Sequence, residues 1–147
     1  MAALAAAAFC FVSAQAQEAA PKTSGNPIFP GWYADPEAII YGDRYWIYPT
    51  YSAPYDQQIF FDCFSSSDLV TWTKHEKLIT NQEVKWARRA MWAPSVIQHE
   101  CKYYFFFAAN DVHEGEVGGI GVAVSDKPEG PYRDLLRSEE HTSELQS

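Results

Sequence analysis

Asp35 is the residue of this chain best placed to do chemistry. It stands in the run Gly31-Trp32-Tyr33-Ala34-Asp35-Pro36-Glu37, an acid among aromatic rings, just before the apolar stretch Ala38-Ile39-Ile40-Tyr41. An acid packed among rings at a strand entrance suggests a carboxylate held for chemistry. Pro36 disfavours helical backbone at the residue before it, which predicts an extended Asp35 with an aimed carboxylate. The competing reading is an acid that caps a turn. No metal set accompanies it. His75, His99 and His113 are scattered without partners at ligand intervals, and His113-Glu114-Gly115-Glu116 reads as a polar loop.

The surroundings of Asp35 recur. Pro94 lies 58 residues after Pro36, in Met91-Trp92-Ala93-Pro94-Ser95-Val96-Ile97, with Ala93 at the place of Asp35. At the same offset Arg44-Tyr45-Trp46 falls on Lys102-Tyr103-Tyr104, and Ser67-Asp68 on Ser125-Asp126. An aromatic follows each Ser-Asp, Trp72 and Tyr132, where the register slips by two residues. The recurring Asp68 and Asp126 read as turn formers that bond the backbone. Asp62 interrupts an apolar run and reads as outward-facing.

Each copy carries β patterning. Tyr45-Trp46-Ile47-Tyr48 and Tyr103-Tyr104-Phe105-Phe106-Phe107 are aromatic-rich strands. Ile59 to Phe64 and Gly119 to Val124 read as third strands, Leu69 to Thr73 and Tyr132 to Leu135 as short outer strands. No sustained 3.6-residue apolar stripe runs between Asn26 and Leu136. Four short strands per repeat of this length match a β-propeller blade. The fold class is therefore all-β, with about two blades present, blade 1 near 35–80 and blade 2 near 93–136. The entrances of the inner strands face a common funnel, which puts Asp35 at its mouth.

The ends read differently. Met1–Ala16 is Ala-rich and closes on Ser13-Ala14-Gln15-Ala16, a signal-peptide cleavage pattern, which predicts a secreted or periplasmic protein. Its apolar run is too short to span a membrane. Gln17 to Gly25 reads as a flexible N-terminus. Arg137–Ser147 reads as the translation of a sequencing-adapter oligonucleotide, a non-native tail after a propeller segment over Asn26–Leu136. The net charge of −8 argues against a nucleic-acid partner. Aromatic content of 16% suits both propeller packing and sugar stacking and decides neither. Cys63 and Cys101 are open to pairing in an oxidising compartment but read more simply as unpaired.

Asn26-Pro27-Ile28-Phe29-Pro30-Gly31-Trp32-Tyr33-Ala34-Asp35-Pro36 resembles the opening of glycoside hydrolase family 43. Ser65-Ser66-Ser67-Asp68-Leu69-Val70-Thr71-Trp72, Trp92-Ala93-Pro94-Ser95-Val96 and Gly130-Pro131-Tyr132 follow in the family's order. The resemblance covers Asn26 to Leu136. It implies a five-bladed β-propeller that hydrolyses arabinose-, xylose- or sometimes galactose-containing glycans with inversion. The implied catalytic set is an Asp base, a second Asp that tunes and orients, and a Glu acid. The base falls on Asp35. The second Asp belongs to a third blade, and the repeat places that position near about 151, beyond the chain. A structural calcium in the full-length protein is compatible with the resemblance, and no cofactor is required.

With a saccharide as partner, the rings near the funnel acquire a use. Trp92, the counterpart of Ala34, offers an apolar wall to a sugar ring, and Tyr51 a second wall. Asn110 and Asp111 could hydrogen-bond sugar hydroxyls. The competing readings are packing for Trp92 and Tyr51 and a solvated loop acid for Asp111. Two other functions compete, a non-catalytic sugar-binding propeller and a fructan-type hydrolase. The latter carries Asn where this chain has Ala34. Lacking the acid, the chain by itself is expected to be inactive.

Overall fold

The computed structural model describes residues 23–110 and 112–135. The proposed leader, the tail from Arg137 and the candidate Asp111 lie outside the described residues. Strands form where aromatic and β-branched residues cluster, and tight turns separate them. β1 (Tyr33–Tyr41), β2 (Arg44–Tyr51), β3 (Phe60–Ser66) and β4 (Thr73–Thr80) make one antiparallel sheet in the order β1-β2-β3-β4. β5 (Trp92–His99), β6 (Lys102–Ala109), β7 (Gly119–Ser125) and the short β8 (Arg133–Asp134) repeat that order in a second sheet. The one helical element among the described residues is a 3-10 turn at Tyr55–Gln57. Each sheet is a four-stranded meander of the kind a propeller blade uses.

The two sheets match strand for strand, with a growing offset. β2 and β6 lie 58 residues apart, β3 and β7 end 59 apart, and β4 and β8 begin 60 apart. One extra residue enters the connection after β6 and another the turn after β7. The partner of Ser125 is therefore Ser66, not Ser67, and the register shows it: Tyr45 pairs with Ser66 and Tyr103 with Ser125. This corrects the reading of the Ser-Asp turns. Asp68 does form its turn. It accepts the N–H groups of Val70 and Thr71, which with the Ser66 hydroxyl hold its carboxyl down at about 2. Asp126 instead faces Lys102 as an exposed ion pair. The outer strand of the first sheet is also displaced. It starts at Thr73, because Leu69 to Trp72 belong to the turn that Asp68 closes.

The core lies between the sheets. Trp46, Tyr48, Phe61, Cys63 and Leu78 of the first meet Val96, Phe105, Phe107, Ala123 and Tyr132 of the second, all buried. Phe61 and Phe105 rings are 4.9 Å apart, and Tyr48 meets Phe105 edge-on. Buried hydroxyls need partners. Tyr41 donates across the interface to the Val96 carbonyl at 2.8 Å, and Tyr48 and Tyr132 both donate to the Pro128 carbonyl. Burial raises the pKa of all three phenols, so they remain donors. Cys63 is buried, Cys101 is exposed, and both are unpaired.

Asp62 is not outward-facing. It is 2% exposed, at a register break in the β3–β4 ladder. It accepts the Lys77 N–H at 2.9 Å and pairs with the Lys74 ammonium at 3.0 Å. A bulge leaves a backbone donor without a ladder partner, and the carboxylate satisfies it.

Candidate functional site

Asp35 lies inside β1 rather than ahead of it, on a β-bulge. Ala34 pairs with Thr50 and Glu37 with Tyr48, so Asp35 and Pro36 together oppose Pro49. Both prolines lack an N–H, so a break in the ladder costs little there. The second sheet carries the same break. Trp92 pairs with Ala108 and Ser95 with Phe106, leaving Ala93 and Pro94 opposite Phe107. The bulged residues share a left-handed backbone, φ 46° at Asp35 and 49° at Ala93. The expectation of an extended Asp35 is thereby overturned. The bulge demands a positive φ at its first residue, and that tertiary demand outweighs the influence of Pro36. Aspartate tolerates this region better than most residues.

The carboxylate of Asp35 is exposed at the mouth between the two sheets. Among the described residues, the Thr50 hydroxyl is its hydrogen-bond partner, 3.4 Å from Oδ2. Thr50 is buried and also accepts the Ala93 N–H at 2.8 Å. One hydroxyl thus stands between the two bulges. Neither Thr50 nor Glu37 was picked out by the sequence reading. Glu37, two residues along β1, accepts the Ser95 hydroxyl at 3.1 Å and the Val96 N–H.

Other residues lie at the same end of the two sheets, where β1 and β5 begin and β2 and β6 end. Trp92 opens β5, half-buried, and meets the ring of Tyr55 edge-on at 5.5 Å; Tyr55 in turn meets His113. Arg89 reaches Glu116 with two of its nitrogens, at 3.2 and 3.1 Å, and Asp56 with a third. These ion pairs fasten the loops after β2, β4 and β6 to one another. His113 and Glu116 belong to this loop network, not to a metal set. Tyr51 closes β2 and stacks on Phe60 at 5.0 Å, beside Tyr33. It therefore packs within its own sheet while remaining partly open.

Asn110 does not offer its amide to a ligand. It is 2% exposed and in the left-handed region at φ 62°. Its oxygen accepts the N–H groups of Arg88 and Arg89, and its nitrogen donates to the carbonyls of Trp86 and Val117. An amide has two donors and one two-sided acceptor, so this set exhausts it. The proposed contact to sugar hydroxyls is corrected to a clamp on the loop before β5. Among the described residues no group of three His, Cys, Asp or Glu side chains is arranged to hold a metal.

The model of the family described as glycosyl hydrolases family 43 matches residues 24–145. This chain belongs to that family. The match continues past Arg137, into the segment that the sequence reading set apart. Among curated relatives, the chain is 50% identical over 125 residues to a beta-D-galactofuranosidase of Aspergillus niger, covering 77% of this chain and 35% of that protein. It is 34% identical over 113 residues to a xylosidase/arabinosidase of Humicola insolens, covering 67% of this chain and 34% of that protein. Among solved structures, a family 43 enzyme from Xanthomonas citri complexed with xylose superposes with a TM-score of 0.63 at 29% identity, over 70% of this chain and 31% of that one. The same enzyme has been solved with xylotriose. The chain spans about a third of the length of the relatives it matches. It holds two blades of the family 43 five-bladed propeller.

Proposed function

We propose that these two blades supply the general base of an inverting glycoside hydrolase acting on arabinose- or xylose-containing glycans. The observation that carries the reading is the paired bulge. Two sheets share one backbone at the same place, and the first alone carries an acid there. In an inverting hydrolase one carboxylate takes a proton from the attacking water, while a carboxylic acid about 6.5–9.5 Å away protonates the leaving oxygen. Asp35 is the base. Its carboxylate is open to water on one side and receives a hydroxyl on the other. Glu37 is not the acid, because both its oxygens are engaged by β5. The acid and the orienting Asp come from the two thirds of the relatives' length that this chain does not span. Alone, the 147 residues turn over no aryl glycoside.

The saccharide meets Trp92 as one apolar wall, with Tyr55 extending it. The name of the Aspergillus niger relative supports a second substrate reading, a β-D-galactofuranoside. The Ala-rich segment ending at Ala16 supports export to a secreted or periplasmic location.

The test is Asp35→Asn in the full-length enzyme, assayed on aryl α-L-arabinofuranoside, β-D-xyloside and β-D-galactofuranoside. Loss of a general base lowers kcat by about 10²–10⁴-fold on whichever substrate the parent hydrolyses. Unchanged kcat on that substrate removes Asp35 from the mechanism.

A further inference from the structure

Thr50 sits at the end of β2, 2% exposed, between the two bulges. Its oxygen accepts the Ala93 N–H at 2.8 Å, in good geometry for a backbone bond. A hydroxyl has one proton to give, and with Ala93 as its donor, Thr50 directs that proton to Asp35 Oδ2. The 3.4 Å separation is longer than an ordinary O–H···O bond, as catalytic contacts often are before substrate binds.

The repeat supplies an internal comparison. Thr50 pairs with Ala34 across β1 and β2, and Ala108 pairs with Trp92 across β5 and β6. Ala108 is thus the counterpart of Thr50, as Ala93 is the counterpart of Asp35. The sheet that lacks the acid also lacks the hydroxyl, although it keeps the bulge and the proline. The bulge therefore does not need a hydroxyl at this position, whereas the acid has one.

We infer that Thr50 is a positioning residue for the base: it is held by the second blade through Ala93 and donates to Asp35, aiming its carboxylate. This rests on the assignment of Asp35 as the base. It also makes the second blade a participant, because Ala93 fixes which way the Thr50 proton points.

The experiment uses the full-length enzyme with Thr50→Val, Thr50→Ala and Thr50→Ser, alongside Asp35→Asn, and measures kcat and KM. Removing a hydrogen bond to a charged group lowers kcat about tenfold in Val and Ala, with KM within about twofold. Thr50→Ser keeps the hydroxyl and stays within about threefold of the parent. Should Thr50→Val not fold, Thr50→Ala decides, because the second sheet already carries Ala108 at that place. Parent kcat in Thr50→Ala, or a Ser variant as impaired as Val, overturns the inference. If Asp35→Asn is inactive while Thr50→Ala is unimpaired, the inference alone fails. If Asp35→Asn is itself active, the base assignment fails with it.

Discussion

Asp35 and Ala93 hold the same left-handed backbone on two copies of one bulge, φ 46° and 49°, and the Thr50 hydroxyl stands between them. The bulge is a property of the blade, and the acid is an addition to it. Alanine is a poor occupant of this region, since its Cβ crowds the following carbonyl. Ala93→Gly should therefore gain up to about 1 kcal/mol of stability, the relief of left-handed strain outweighing the added freedom of the unfolded chain. Denaturant unfolding of parent and variant checks this, and a loss of stability would show that Ala93 is not strained.

Glu37 joins the sheets through Ser95 and the Val96 N–H. Glu37→Ala leaves a buried-edge N–H and a hydroxyl without acceptors, at about 2 kcal/mol. The midpoint in urea should fall accordingly. An unchanged midpoint would mean that the contact contributes nothing net.

Asn110 bonds four backbone groups. Asn110→Ala should cost about 2–3 kcal/mol in stability. If the full-length variant remains folded at assay temperature, its KM should match the parent. A raised KM with unchanged stability would restore Asn110 as a ligand contact.

Much of the fold was legible in the sequence, and the reasons are local. The aromatic runs from Tyr45 and Tyr103 mark β2 and β6, Gly42 and Glu100 adopt the positive φ of the turns before them, and one offset relates both. The offset misled where connections differ by a residue, so Ser67 was matched to Ser125 in place of Ser66. Asp35 was found because its counterpart is Ala93. Its backbone was not, because a bulge is set by pairing with β2, which the Asp-Pro dipeptide does not encode. Asp62 and Asn110 were misread for a shared reason. Both are polar residues whose partners are backbone groups of another segment, and such partners exist only once the chain is folded. Thr50 was missed because a threonine ending an aromatic strand has no distinguishing spacing.

His75 carries the pH dependence closest to neutrality. Its ring stacks on Trp46 at 5.4 Å, and its Nε2 lies 2.8 Å from the Ser65 hydroxyl. Arg44 donates to the same oxygen at 3.2 Å. Burial lowers the His75 pKa from the usual 6.5, with Arg44 adding to the effect and Glu129 opposing it. Below 6.5 the unfolded chain binds a proton that the folded chain resists. The stability contributed by the neutral ring is thus full above pH 6.5 and is lost as pH falls below it. Melting curves from pH 7.5 to 5 should show a decline that His75→Gln reduces. An identical slope in the variant would assign the decline to other groups.

The most direct measurement of the central claim is azide rescue of Asp35→Ala in the full-length enzyme, on an aryl glycoside with an activated leaving group. Azide needs no base, so it can occupy the place of the deprotonated water. The account predicts little hydrolysis without azide, restored aryl release with it, and a glycosyl azide of inverted anomeric configuration. Hydrolysis by Asp35→Ala at the parent rate, or retained configuration in the parent's first-formed product, would contradict it.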